Sequence, residues 1–450
     1  MLAQIFAVVI FLLMFVAIII NRLPRYLPAL VGGALTVFIV FLIIMKSPST
    51  VMHVLNFGQL GQAAFWVPGH KPFESIGVNW QTIIFIGGMM VMVEGLGKAG
   101  LFRWLCLYVA KLVKYKVVAI MIAFTLLAGF LSMFIDSITV LLFFAMVTIE
   151  LARLLKFNPV PIIIAEIFAA NVGGAATMAG DPPNIIIGTS LGYHFSDFLV
   201  NTGLIAWVGM IIALIYFYFV FRKSLKSSQG RISTDPNQYP DPKKAIVNRG
   251  LFFTFIAIFL LVVVLLITHA QTGMSVALIG VIAAGLTLIF GYKDALHIIR
   301  KVDWQTLLFF FGLFICVSGL EQTGSLKTLA DFINRVSGGS LIVVITIILW
   351  VSAFASSIID NIPFAATMIP VIKGLAATGL PLPPLAWTLA LGTDIGGNGT
   401  PIGASANVVG IAIAEREGYH ISWGKYCKYA LPAMILVVGV CWLLLIVRYA

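Results

Sequence analysis

The residues best suited to chemistry in this sequence are acids that have no cationic neighbour along the chain. Asp136, Glu166, Asp181, Asp360 and Asp394 fall within the apolar stretches 117–152, 157–221, 336–372 and 374–415, none of which contains a lysine or an arginine. A carboxylate held among apolar residues without a counter-charge is costly, and such groups mark proton or cation sites. Asp136, Asp181, Asp360 and Asp394 are therefore the expected ion- or proton-coupling residues. A helix-capping role is the other reading for Asp136 and Asp360. Around these acids lie Asn171, Gly173, Gly174, Thr177 and Asn184, then Asn361, then Gly396, Gly397, Asn398, Thr400 and Asn407. Short amides and hydroxyls both donate and accept hydrogen bonds. Glycines let the backbone leave a helix and approach a ligand. Prolines such as Pro182, Pro183 and Pro401 stop or restart a helix. This set suits reversible binding of a small polar solute, and these are the expected substrate-binding residues. No nucleophile–base pair or metal-ligand spacing accompanies them, so no catalytic residue, metal or cofactor is expected.

These residues occur twice. Val78-Asn79-Trp80-Gln81-Thr82 returns as Val302-Asp303-Trp304-Gln305-Thr306, a shift of 224. The same shift carries Phe130, Ser132, Asp136 and Ile138 onto Phe354, Ser356, Asp360 and Ile362. A shift of 223 carries Gly173, Gly174, Thr177, Gly180 and Asn184 onto Gly396, Gly397, Thr400, Gly403 and Asn407. Order and register kept over more than a hundred residues mark homologous halves. Two of the acids break the symmetry, since Asp181 corresponds to Ala404 and Asp394 to Asn171.

Each half parses into the same elements. In the first, two plain spans at about 1–21 and 25–45 precede a third at about 80–97 and an amphipathic stretch at 101–116. A long apolar segment at 117–152, interrupted at 132–139, reads as a re-entrant hairpin. A span broken between Gly173 and Pro183 and a closing span at about 200–221 follow. Polar breaks at membrane depth survive only where protein encloses them. Five crossings per half require the second half to be inverted. The expected fold is thus an all-α integral membrane protein of two inverted repeats, 1–222 and 251–450, joined by a cytoplasmic linker at 223–250. Residues 46–77, which have no counterpart, read as an outer loop or short re-entrant piece. With Arg22 and Arg25 inside, 22 of the 28 lysines and arginines fall on the cytoplasmic side. That bias meets the positive-inside rule and puts the amino terminus outside.

Composition agrees. Of 450 residues, 61% are hydrophobic and 10% charged, too few charges for a soluble surface of this size. The net charge of +11 reads as topology-setting loop charge rather than a nucleic-acid surface. The four cysteines are scattered in or beside apolar segments and read as buried hydrophobes.

The runs Gly173-Gly174-Ala175-Ala176-Thr177 to Gly180-Asp181-Pro182-Pro183-Asn184, and Gly396-Gly397-Asn398-Gly399-Thr400 to Gly403-Ala404-Ser405-Ala406-Asn407, resemble the ion transporter superfamily, within it the ArsB and P-protein-like branch. The resemblance spans nearly the whole chain. It implies an elevator-type secondary transporter of the inner (cytoplasmic) membrane, with the lipid bilayer, a second copy of the chain and an ATPase subunit as partners. The hairpin tips Asp136-Ser137-Ile138 and Asp360-Asn361-Ile362 depart from the Ser-Asn-Thr signature of related carboxylate symporters. The first reading is proton-coupled efflux of arsenite or antimonite, a neutral hydroxylated solute suited to a site without a fixed cation. The alternative is sodium- or proton-coupled transport of an anion, either a di- or tricarboxylate or chloride.

Overall fold

The computed structural model describes residues 1–20, 22–69, 77–228 and 239–450, and among these the chain contains helices and no strand. Nine of the helices are long and apolar enough to cross a bilayer. In the first half the longer helices are α1 (Leu2–Ile20), α2 (Tyr26–Ile44), α3 (Trp80–Ala99) and α4 (Leu101–Leu112). After them come α5 (Val117–Leu131), α6 (Ser137–Leu155), α7 (Val160–Gly174), α8 (Pro182–Leu191) and α9 (Leu204–Ser228). The second half supplies the same series. It runs α10 (Arg249–Thr272), α11 (Val276–Phe290), α12 (Trp304–Gln322), α13 (Ser325–Ser337), α14 (Leu341–Ile358), α15 (Asn361–Ala377), α16 (Leu382–Gly396), α17 (Ser405–Arg416) and α18 (Trp423–Tyr449).

The repeats fold alike. The Asn79 side chain caps α3 by accepting from Thr82 N, and Asp303 caps α12 by accepting from Thr306 N. Such a cap satisfies an amide left without a partner in the first helical turn and contributes about 1 kcal/mol. Helix α2 packs on α12 while α11 packs on α3, and α5 packs on α7 while α14 packs on α16. Two bodies result. One holds α1–α3 and α10–α12, and the other holds the interrupted helices α5–α8 and α14–α17 with α9 and α18.

Close backbone approach explains the small residues at these crossings. A Cβ on Gly173 would collide with the backbone of Gly129, and one on Gly396 with that of Ala353. Both pairs sit at matching positions of the two halves. The amphipathic α13 buries Leu326, Ala330 and Ile333 against its neighbours and exposes Leu329, Phe332 and Val336 on a second face, alongside Lys327 and Arg335. Two apolar stripes on one short helix suit a membrane surface.

The connecting segments are partly helical. Helix α9 continues to Ser228, so the first residues of the expected linker are helical, because nothing before Ser228 breaks the backbone pattern. The rest of that linker lies partly outside the described residues. Its described end holds a short turn at Pro242–Ala245 and the Asn248 side chain that caps α10. Within 46–77, expected as an outer loop or short re-entrant piece, the chain forms short helices at Pro48–Leu55, Phe57–Gly61 and Ala63–Trp66, and 70–76 lie outside the described residues. Finally, the helix at 295–301 turns away from α11 by 93°.

Candidate functional site

Four helices begin around one region of the molecule. The breaks between α5 and α6 and between α14 and α15 end on Asp136 and Asp360. Each acts as an N-cap, Asp136 accepting from Thr139 N at 3.0 Å and Asp360 from Ile362 N at 3.1 Å. The breaks between α7 and α8 and between α16 and α17 end at Asp181 and Ala404. Helix N-termini carry partial positive charge and free amides, so their convergence favours negative charge.

The breaks are built from residues that bond to one another. Thr177 donates to the Met133 carbonyl, and its counterpart Thr400 donates to the Ser357 carbonyl, tying each broken helix to its hairpin. Asn184 Nδ2 donates to the Gly174 and Thr177 carbonyls at 3.1 and 3.0 Å. Asn407 Nδ2 does the same to Gly397 and Thr400 at 2.7 and 2.8 Å. A Cβ on Gly180 or Gly403 would lie 2.5 Å from the carbonyl oxygen of Gly174 or Gly397, so both fold-backs require glycine. Asn171 Nδ2 crosses between the repeats to Asn398 Oδ1 and Asn407 Oδ1, both at 2.9 Å.

The acids take three kinds of environment. Asp181 accepts from Ser137 Oγ at 2.6 Å and from Asn361 Nδ2 at 3.3 Å, so it joins both hairpin tips. Asp394 is fully buried and, among the described residues, neither carboxyl oxygen makes a hydrogen bond of good geometry, although the Asn361 amide stands nearby. Glu166 is also fully buried and accepts from Thr148 Oγ1 at 2.6 Å, behind the breaks. Asp360 does have a counter-charge. Arg25 forms an ion pair with it and also donates to Ser405 Oγ at 2.7 Å, while Ser405 donates to Asp360 at 3.0 Å. This corrects the expectation that all the acids lack a basic partner. The cation arrives from the start of α2, 335 residues away along the chain.

A cavity of about 280 Å³ opens beside this ion pair, between the two bodies. Its polar wall includes Arg25, Asp136, Asp303, Gln305, Thr306, Asp360 and Ser405, and its apolar wall includes Phe85, Met89, Ile138 and Phe309. Arg25 keeps 26% of its side chain exposed against 2% for Asp360, so the guanidinium reaches the cavity while the carboxylate stands behind it. Of the expected residues, Asp136 and Asp360 line this space. Asn361 and Asp181 stand next to it, at the hairpin tips. The amides and threonines at 171–184 and 398–407 lie in the breaks, bonded as described, and are not on the cavity wall. Sequence reasoning missed Arg25, whose only signal there was loop charge, and Asp303, which it used only as a marker of the repeat.

Comparison with known proteins gives consistent results. The family model described as a citrate transporter, CitMHS, matches residues 15–392. A 46 kDa membrane protein of Mycobacterium leprae is 31% identical over 99% of this chain and 99% of its own length. An uncharacterized transporter of Mycobacterium bovis is 36% identical over 85% of this chain and 90% of its own. The human P protein is 31% identical over 85% of this chain, which corresponds to 56% of that longer protein. Among solved structures, the Alcanivorax borkumensis YdaH transporter aligns with a TM-score of 0.55 at 14% identity, covering 90% of this chain and 89% of that one, which shows a shared fold. The all-helical membrane architecture, the match along most of the chain and the transporter relatives agree: this chain belongs to the CitMHS citrate transporter family and is a multi-pass secondary transporter.

Proposed function

We propose that the protein carries a small carboxylate anion through the cavity at Arg25, together with protons or sodium ions that neutralise the neighbouring acids. The observation that carries this reading is the charge of the wall. One guanidinium faces three carboxylates, those of Asp136, Asp303 and Asp360. An anion entering alone meets net negative charge. An anion entering with bound cations meets Arg25 and four helix N-termini. Binding of the two is then mutually favourable, which is the thermodynamic basis of coupled transport. The coupling set is Asp136, Asp181, Asp360 and Asp394, while the amides at Asn171, Asn184, Asn398 and Asn407 hold the breaks in shape.

Efflux of arsenite or antimonite rested on a site free of fixed cations, and Arg25 on the wall removes that support. Chloride is far smaller than a cavity of about 280 Å³ requires. A di- or tricarboxylate of the kind named by the family fits both the size and the charge pattern.

Transport proceeds by movement of the body containing the hairpins and broken helices against the body formed by α1–α3 and α10–α12, with the second repeat inverted relative to the first. The cavity opens on the side of Arg25, which the positive-inside rule makes cytoplasmic. In proteoliposomes, labelled citrate uptake is expected to depend on an imposed proton or sodium gradient and to be competed by succinate. Flux of arsenite under a proton gradient with no citrate or succinate flux would instead restore the metalloid reading.

A further inference from the structure

The two repeats make the same amide bond at one break and fail to make it at the other. In the second repeat Asn407 turns its Nδ2 toward two loop carbonyls, which leaves its Oδ1 to accept from Asn171 Nδ2 at 2.9 Å. In the first repeat Asn184 turns its Nδ2 toward the equivalent carbonyls, so its Oδ1 is likewise committed to accept. The residue equivalent to Asn171 is Asp394. Among the described residues Asn184 Oδ1 has no donor and neither Asp394 oxygen makes a hydrogen bond of good geometry, the amide of Asn361, which already donates to Asp181, standing nearby, although both residues are 0% exposed. An orphaned acceptor pair of this kind is rare in a folded interior, and an unpaired carboxylate there is costlier still.

We infer that Asp394 is a buried proton-binding site, occupied in this conformation as the neutral acid, whose hydroxyl donates to Asn184 Oδ1 in place of the amide that Asn171 offers to Asn407. One proton supplies the donor toward Asn184; the other N–H of Asn171 serves Asn398, whose counterpart Ala175 needs none. The same proton also removes the buried charge.

Among the described residues the surroundings contain no cation that would do the same. Helix α16 packs against α7, α8, α14, α15 and α18. Helices α8 and α14 carry no ionisable side chain, and α7 offers Glu166, which is bonded to Thr148. From α15 the ionisable groups are Lys373, exposed far along the helix, and the cap Asp360, which is paired with Arg25. From α18 the buried ionisable groups are Tyr426 and Cys441. The remaining charge within electrostatic reach is the acid Asp181.

This inference deepens the cation coupling proposed above by naming one proton carrier, and its test uses no substrate. Infrared difference spectra of the wild-type protein in lipid, titrated in pH, are expected to show protonated-carboxyl carbonyl bands, one component of which is lost in Asp394→Asn while those of the other buried acids remain. Asp394→Asn restores an amide donor to Asn184 and is expected to unfold at or above the wild-type temperature. Asp394→Ala, which leaves Asn184 Oδ1 orphaned, is expected to unfold below it. Carbonyl bands of unchanged size in Asp394→Asn overturn the proposal, as does unfolding of Asp394→Asn at the lower temperature of Asp394→Ala. Stabilisation by sodium chloride over choline chloride that is present in wild type and lost in Asp394→Asn would place a metal cation there and overturn it too. Failure of citrate to move in proteoliposomes bears on the transport reading and leaves these outcomes unaffected.

Discussion

Ser137 donates its hydroxyl to Asp181 Oδ1 at 2.6 Å, and this bond fastens the tip of the first hairpin to the broken helix that follows it. The other oxygen of Asp181 accepts from Asn361, at the tip of the second hairpin, at 3.3 Å. One side chain therefore joins both repeats at the point where their breaks converge. Removing it leaves two buried donors unsatisfied, at a cost of about 1–3 kcal/mol each. Asp181→Ala is expected to lower the unfolding temperature of the detergent-solubilised protein more than Ser137→Ala, which removes one of the two bonds. Equal effects of the two substitutions would mean that the Asn361 contact contributes nothing.

Much of this arrangement was legible in the sequence, and the reason is local. Glycines and prolines at 173–183 and 396–403 act on their own backbone, so the breaks could be placed without knowing what surrounds them. The repeated Asp136 and Asp360 signalled helix starts by type and position alone. Partners were not legible, because they come from distant parts of the chain. Nothing in the sequence links Arg25 to Asp360 across 335 residues, and the arginine was counted only as a charge flanking a span. The bonds of the amides were not legible either. Asn184 and Asn407 have the chemistry to hold a ligand, yet each spends both amide hydrogens on carbonyls seven and ten residues earlier. Residue type shows capacity to bond, whereas the fold decides where the bonds go.

Arg25 has two separable roles, one toward Asp360 and one toward the cavity. Breaking a buried ion pair by removing one partner costs about 3–5 kcal/mol, because the remaining charge is stranded. Arg25→Gln is therefore expected to destabilise the protein, and the double variant Arg25→Gln with Asp360→Asn to recover most of that loss. Uptake of labelled citrate by the double variant should stay depressed about a hundredfold, the equivalent of about 3 kcal/mol of lost anion attraction. If citrate uptake returns along with stability, Arg25 is a structural partner of Asp360 and the anion is held by other groups.

The proposed inversion of the second repeat makes a prediction about sidedness. Helices α4 and α13 occupy equivalent places in the two halves and should lie on opposite membrane faces. Cys106, Cys316, Cys427 and Cys441 are all free, so a cysteine-free background requires no disulfide to be replaced. Single cysteines at Lys111 and Lys327 on that background are expected to label from opposite sides of sealed vesicles, with Lys111 on the cytoplasmic side. Labelling of both from one side would contradict the inversion.

The contacts at the starts of α3 and α12 differ in this conformation, and the difference tests the proposed sliding motion. At the start of α3, Asn79 Nδ2 bonds to Thr189 Oγ1 at 2.7 Å and to Ser190 Oγ at 3.2 Å, with Thr82 also 2.9 Å from Thr189. These contacts join the body formed by α1–α3 and α10–α12 to the end of α8. The equivalent residue at the start of α12, Asp303, instead lines the open cavity. Its counterparts to Thr189 and Ser190 are Ala412 and Ile413, which offer no side-chain hydrogen bond. The seal at Asn79 is thus polar and specific, whereas a seal at Asp303 must be made by packing. In the cysteine-free background, a Asn79→Cys with Thr189→Cys pair should form a disulfide readily and hold the cavity open toward Arg25. Citrate exchange should stop on oxidation and return on reduction. The pair Asp303→Cys with Ala412→Cys should cross-link only in the opposite conformation, more slowly, and faster when citrate and a cation gradient drive turnover. If the oxidised 79–189 pair keeps exchanging citrate, the bodies need not slide past one another at this contact, and the path across the membrane must open by some other movement.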